Sequence, residues 1–323
     1  MKNYLILSGG AFRGAFQLGA VEVLKEKGIV FDKVFGVSTG AINGSLIAQD
    51  KFSTLSHFWE QIHINGQSEI FQPELGTFKD DKISVSLNQL RKVLLKNSFK
   101  SILGSRFKEN LFENLNSIKG AFNMSPLKTK LEGSIDFNSF VSDFYFGTVD
   151  FNDGHYNLHS HKDFYNKESL IDGIVSSASM PVFVPPIPIL RTQYKIHHNI
   201  LDGGVRKSSP ISDALKYVSN EEDVHFYIVN CNTGELQVDT KEKSATSILM
   251  RTIDIMMSQM FLQDLKLFKM ANDIALSNLV SKYKYINYTL IEPKGNVLGD
   301  ILSTNLIPMR YEIGRNVATK SLM

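Results

Sequence analysis

The sequence predicts an α/β protein in which a mainly parallel central sheet is sandwiched between layers of helices, and two stretches carry that expectation. One is Lys2–Leu7, a short apolar run that leads straight into Ser8-Gly9-Gly10-Ala11-Phe12-Arg13-Gly14. The other is VFGVSTGAING over residues 34–44, an apolar strand end, then Gly36-Val37-Ser38-Thr39-Gly40, then a small-residue helix start. Between them Ala15, Leu18, Val21, Val23 and Leu24 form an apolar stripe at helical spacing, and Gly28 falls where a left-handed residue ends a helix. Strand, glycine-rich turn, helix and a second strand over Phe31–Val37 make a right-handed βαβ unit with parallel strands.

That unit puts the glycine loop and Ser38 side by side at the carboxyl ends of two strands, where sites form in open α/β sheets. G-x-S-x-G is the sequence form of a nucleophile elbow. The turn is too sharp for bulky neighbours, so Gly36 and Gly40 flank the serine two residues away on each side. It lifts the hydroxyl to a helix start, where unpaired N–H groups and the helix dipole favour an anion. The glycine loop likewise exposes N–H groups to a developing negative charge. A dinucleotide fingerprint fits poorly, because Gly9, Gly10, Gly14 and Gly19 lack the G-x-G-x-x-G register and the second strand ends in Ser, not an acid.

A serine hydroxyl needs a group to take its proton. An α/β-hydrolase would place several strands ahead of the elbow and a histidine after it; here one βα unit precedes Ser38. The eight histidines are His57, His63, His155, His159, His161, His197, His198 and His225, and none lies in the last 98 residues. His225 sits inside VHFYIVN and reads as part of a buried strand. A carboxylate is the better candidate: in Ile200-Leu201-Asp202-Gly203-Gly204 an apolar pair delivers an acid into a Gly-Gly turn. Two glycines let a neighbouring backbone come close, but Asp202 equally suits a turn former that bonds its own backbone.

Ser8–Gly14, Gly36–Gly40 and Asp202–Gly204, in this order, resemble the patatin-like phospholipases, lipid acyl hydrolases with a Ser–Asp dyad. The stretch Ser176–Pro186 is similar to the family's small-residue helix running into a Pro-containing turn. Ser125-Pro126-Leu127 with its following helix, the strand pair around Phe144–Asp153, the strand Val224–Cys231 and the stretch Pro293–Asp300 also fit, so the likeness covers most of residues 1–315. The resemblance implies a core over residues 1–232 with a helical insertion at about 50–125, and a helical C-terminal part over 233–323 packed on the same domain. It implies Ser38 as nucleophile and Asp202 as base, with a carboxyl raised by burial. Gly9, Gly10, Ala11 and Thr39 are then the oxyanion N–H donors, Gly14 and Arg13 complete the loop, and Gly203 and Gly204 complete the base motif. Arg13 would support the loop or a phosphate head group, or else form a salt bridge. Ala11 stands where the family has a third glycine, a change that keeps the turn unless this position needs a positive φ. The implied function is hydrolysis of phospholipid or lysophospholipid esters through a Ser38 acyl-enzyme. A neutral-lipid esterase, a thioesterase and a non-catalytic lipid-binding regulator on the same scaffold are the alternatives.

Composition bounds the remainder. The chain has 323 residues with 35 basic and 33 acidic side chains, a net charge of +2 that gives no argument for a nucleic-acid partner. No His/Cys/Asp cluster has metal-ligand spacing, and the dyad calls for no cofactor. One cysteine, Cys231, excludes a disulfide framework. Tyr4–Leu7 is too short for a signal-peptide core and no apolar run approaches a membrane span, so the expected location is cytoplasmic, peripheral to membranes if at all. Residues 82–108 carry Arg91, Lys92, Lys96, Lys100, Arg106 and Lys108 among apolar residues and no acid, which suits either a bilayer-surface helix or a solvated basic face. Residues 246–280 are rich in Met, which fits core filling or an acyl-facing wall.

Overall fold

A computed structural model describes residues 1–74, 76–79, 82–85, 120–181, 183–219, 223–232, 245–277, 284–295 and 297–323. In chain order its strands and helices are β1 (Lys2–Leu7), α1 (Ala15–Glu26), β2 (Lys33–Val37), α2 (Thr39–Ile47), α3 (Phe52–Asn65), β3 (Gln72–Pro73), β4 (Gly76–Lys79), β5 (Lys82–Val85), β6 (Phe122–Asn123) and α4 (Ser125–Ser134). The second half holds β7 (Asp143–Asp150), β8 (Tyr156–Ser160), α5 (Lys167–Ser177), β9 (Ile187–Arg191), β10 (Ile196–Asp202), α6 (Ile211–Leu215), β11 (Val224–Val229), α7 (Ala245–Leu276), β12 (Asn287–Ile291) and α8 (Ile307–Ser321).

The main sheet runs β12-β11-β1-β2-β7-β10-β9, with β8 also paired to β7. The five strands from β12 to β7 are parallel, whereas β8, β9 and β10 are added antiparallel. Strand alternation explains the three layers. In β1, Leu5 and Leu7 point into one core with α1–α5 and α8, while Tyr4 and Ile6 point into a second core with α6 and α7. Phe261, Leu265 and Phe268 of α7 cover that second face.

The structure adds strands to two segments expected to be helical. The described part of the insertion is not wholly helical: after α3, β4 pairs antiparallel with β5, and β3 pairs with β6. Thr77, Phe78, Ile83 and Val85 are β-branched or aromatic, and they favour strand over helix. The basic segment 82–108 therefore begins in a strand, and residues 86–108 lie outside the described residues. The C-terminal part is not purely helical either, since β12 extends the sheet through β11. Among the described side chains within 246–280, Met257 is a buried core methionine, while Met256 and Met270 are exposed.

Helix α8 is bound to α1 at unusually short range. A Cβ on Gly19 would fall 2.0 Å from the Tyr311 carbonyl oxygen, and one on Gly314 would fall 2.1 Å from that of Phe16. The helices meet backbone to backbone, and the Arg315 guanidinium adds an ion pair to Glu26 at 2.9 Å and one to Glu22. Gly19→Ala and Gly314→Ala should each destabilise the fold by about 2 kcal/mol or more, because neither backbone can retreat. Chemical denaturation checks this, and an unchanged midpoint would refute the backbone contact.

Candidate active site

Ser38 stands between the end of β2 and the first turn of α2, with φ 57° and ψ −125°, a conformation that costs a non-glycine residue of order 1–3 kcal/mol. Sterics around it explain the flanking glycines. A Cβ on Gly36 would lie 2.2 Å from the Gly40 carbonyl oxygen, and one on Gly40 would lie 2.5 Å from that of Leu7. The Ser38 N–H donates to Ser177 Oγ at 3.0 Å, and the Ser177 hydroxyl donates to the Gly147 carbonyl at 2.7 Å. This pins the elbow to both α5 and β7.

Asp202 ends β10, and its backbone N–H donates to the Ser179 carbonyl at 3.1 Å. A Cβ on Gly203 would meet the Gly147 carbonyl at 2.4 Å, so only glycine lets β10 press against β7 here. The two carboxylate oxygens of Asp202 have different partners. Oδ1 accepts the Gly204 N–H at 2.6 Å, the turn-former's bond, and Oδ2 accepts the Ser38 hydroxyl at 2.7 Å. Ser38 and Asp202 are 6% and 4% exposed, so this contact is shielded from water. Burial pushes the Asp202 carboxyl up to about 7, against the opposing pull of the Ser38 and Gly204 hydrogen bonds.

The glycine loop lies beside Ser38, but its residues do different things. The Gly9 N–H donates to the Ser208 carbonyl at 2.8 Å, which removes it from the set of oxyanion donors. Gly9 ties the loop to the segment after Asp202 instead, and its carbonyl accepts the Asn232 side-chain N–H at 2.7 Å. The N–H groups of Gly10, Ala11 and Thr39 bond no group among the described residues and remain free. Ala11 has φ 45°, so this position does demand the positive φ that glycine would supply. The loop keeps its turn at a cost of about 1–2 kcal/mol.

The Arg13 side chain is turned into the protein. It is 3% exposed, it makes a two-pronged ion pair to Asp254 of α7 at 2.8 and 3.1 Å, and it also donates to the Gly299 carbonyl. Its salt-bridge reading stands, with a partner 241 positions away that sequence spacing could not reveal. Gly14 serves packing, since a Cβ there would lie 2.3 Å from Thr39 Oγ1. His225 is half-buried, with Nε2 against Thr289 Oγ1 at 2.9 Å, and belongs to the sheet. Two polar residues, Asn43 and Gln17, escaped the sequence reading. Asn43 Nδ2 donates to the Gly14 carbonyl and to Gln17, Gln17 donates to the Ser8 carbonyl, and Asn43 Oδ1 accepts the Trp59 indole N–H. The available signal was a lone amide inside each of two small, apolar helix starts.

Ser38, Thr39 and Ala11 open onto a cleft of about 750 Å³, its mouth included. Phe58, Trp59, Ile62, Phe71, Phe183 and Leu302 are among its walls, and among the described residues that line it Gln67 joins Ser38 and Thr39 as a polar side chain. A hydroxyl bonded to a buried carboxylate, three free N–H groups and an apolar cleft together suit acyl transfer from a substrate with an apolar acyl chain.

Comparison with known proteins follows the same outline. A family model described as patatin-like phospholipase matches residues 5–215. The lysophospholipase nte1 of Aspergillus terreus (strain NIH 2624 / FGSC A1156) is 48% identical over 46 residues, which are 14% of this chain and 3% of that protein. Among solved structures, VipD from Legionella pneumophila is 16% identical with a TM-score of 0.41, over 99% of this chain and 66% of that one. The type III effector protein ExoU of Pseudomonas aeruginosa is 14% identical with a TM-score of 0.38, over 99% of this chain and 52% of that one. The chain thus spans less than two thirds of each of these relatives. The family match runs from β1 through the elbow and the Asp202 turn to the end of α6, and on that match the chain belongs to the patatin-like phospholipase family.

Proposed function

We propose that the protein is a lipid acyl hydrolase acting on phospholipid or lysophospholipid esters, with Ser38 as nucleophile and Asp202 as its base. The 2.7 Å hydrogen bond from the Ser38 hydroxyl to Asp202 Oδ2 carries this reading. Ser38 Oγ attacks the ester carbonyl as its proton passes to Oδ2. The carbonyl oxygen becomes an oxyanion facing the free N–H groups of Gly10, Ala11 and Thr39, the last at the positive end of α2. Collapse breaks the ester C–O bond, and the leaving alcohol takes the proton held by Asp202. A water then gives a proton to the carboxylate and attacks the acyl-Ser38 carbonyl. The second tetrahedral adduct releases the fatty acid as the proton returns to Ser38 Oγ.

Family membership and the apolar cleft support a lipid ester over a polar one. The base strength supports the dyad. An ordinary carboxylate near 4 would be a poor acceptor for a hydroxyl proton, and one raised to about 7 is matched to neutral pH.

Ser38→Ala and Asp202→Asn should each lower kcat/KM on a lysophospholipid by at least about a thousandfold with the fold retained. Fatty-acid release and circular dichroism measure the two parts, and an active Asp202→Asn enzyme would exclude the dyad. Because the base must be ionised, kcat/KM should fall about tenfold per pH unit below about 7. Stability shifts the other way. The folded carboxyl titrates above its unfolded value of 3.8, so holding it ionised costs stability that is absent below pH 3.8 and accumulates up to about pH 7. Asp202→Asn should therefore gain Tm over the native protein progressively across that window and level off above it. A Tm difference flat in pH would contradict the raised pKa.

A further inference from the structure

Helix α7 is apolar on two sides. Met257, Phe261, Leu265 and Phe268 are buried toward the protein, while Ile248, Ile255, Met256, Leu262, Leu267 and Met270 are between 39% and 64% exposed. At 3.6 residues per turn the exposed six fall in one stripe about 140° wide and about 33 Å long. Core filling does not account for them, and six large apolar side chains exposed on one helix face, with Thr252, Gln259, Gln263 and Lys266 between them, are more than scattered single residues.

We propose that this outer face of α7, from Ile248 to Met270, is a docking surface for an anionic lipid bilayer; the proposal rests on the lipid-hydrolase reading above. Residue pattern and charge select this occupant. Ile248, Ile255 and Leu262 recur every seven residues, but the positions four further on are Thr252, Gln259 and Lys266. A helix partner, including a second copy of this chain, wants apolar residues at both sets of positions. A headgroup layer accepts polar side chains between shallow apolar ones. Lys266 and Lys269 are exposed on or beside the stripe, and Asp273 is the one exposed carboxylate between residues 248 and 276. That balance favours phosphate-bearing lipid surfaces.

Docking there also reaches the glycine loop. Asp254 of the same helix holds the Arg13 guanidinium, and the Met257 methyl lies 3.2 Å from the Cβ position of Gly9. A bilayer that grips the outer face is thereby held to the element that carries Gly10 and Ala11, through side chains of one rigid helix.

The test uses the full chain and vesicles of zwitterionic lipid with or without an anionic lipid. A variant carrying Ile255→Glu, Leu262→Glu and Leu267→Glu should lose at least about tenfold in co-sedimentation with anionic vesicles, which is about 1.4 kcal/mol. Its hydrolysis of a soluble short-chain ester should be unchanged, because none of these residues touches the cleft. A second variant, Lys266→Gln with Lys269→Gln, is fold-neutral and should lose the preference for anionic over zwitterionic vesicles. Native-like sedimentation of either variant would overturn the proposal. So would a native protein that elutes as a dimer while the triple variant elutes as a monomer, since the face would then join two copies. Vesicle binding needs no turnover, so failure of the Ser38–Asp202 reading would appear separately, as short-ester hydrolysis indifferent to Ser38→Ala.

Discussion

Close backbone approach at the carboxyl ends of β2, β7 and β10 is the constraint on which the site depends. Three missing side chains permit it: Gly36 against Gly40, Gly40 against Leu7, and Gly203 against Gly147. A methyl group at any of them would have to displace backbone atoms that belong to the central sheet. With those contacts made, Ser38 is forced into a left-handed conformation and Asp202 is delivered to within 2.7 Å of its hydroxyl. Sheet packing supplies the energy that offsets the strain at Ser38 and Ala11, both held at positive φ by the surrounding structure.

In the proposed dyad, burial takes the part that a histidine takes in a triad. A carboxylate in water would leave the serine proton in place. Here desolvation raises the carboxyl to about 7, and the two hydrogen bonds from Gly204 and Ser38 keep the ionised form from becoming prohibitively costly. Two opposing effects of similar origin thus set the base. More hydrogen bonds would return Asp202 to an ordinary acid, and fewer would leave it protonated at neutral pH.

Much of this was legible in the sequence because it is local. The strand-loop-helix-strand order of residues 2–37, the glycines of the elbow and the Asp202 turn each follow from spacing within a few positions. What escaped depends on contacts across the chain. The Gly9 N–H looks free in the sequence, and only the return of Ser208 to its side takes it up. Arg13 reads as loop support, a head-group ligand or one side of a salt bridge, and its partner Asp254 lies 241 residues away on α7. The strands within the insertion at about 50–125 escaped for another reason, in that Gly76–Lys79 and Lys82–Val85 are too short for a periodicity argument to separate strand from helix.

Arg13 joins the site to the second helical layer. α1–α5 and α8 cover one face of the sheet, while the other face holds α6 and α7 alone. The glycine loop leaves the carboxyl end of β1 between these layers and is held from both sides. Gln17 of α1 bonds the Ser8 carbonyl and Asn43 of α2 bonds the Gly14 carbonyl, while Asn232 holds the Gly9 carbonyl, the Ser208 carbonyl holds the Gly9 N–H, and Asp254 holds Arg13. An ion pair whose arginine is 4% exposed and whose aspartate is 14% exposed is costly to break, because either partner left alone would be a buried charge. That ion pair ties the loop to α7, so under the docking proposal a bilayer on the outer face of the helix would be fastened, through Asp254 and Arg13, to the loop that carries Gly10 and Ala11.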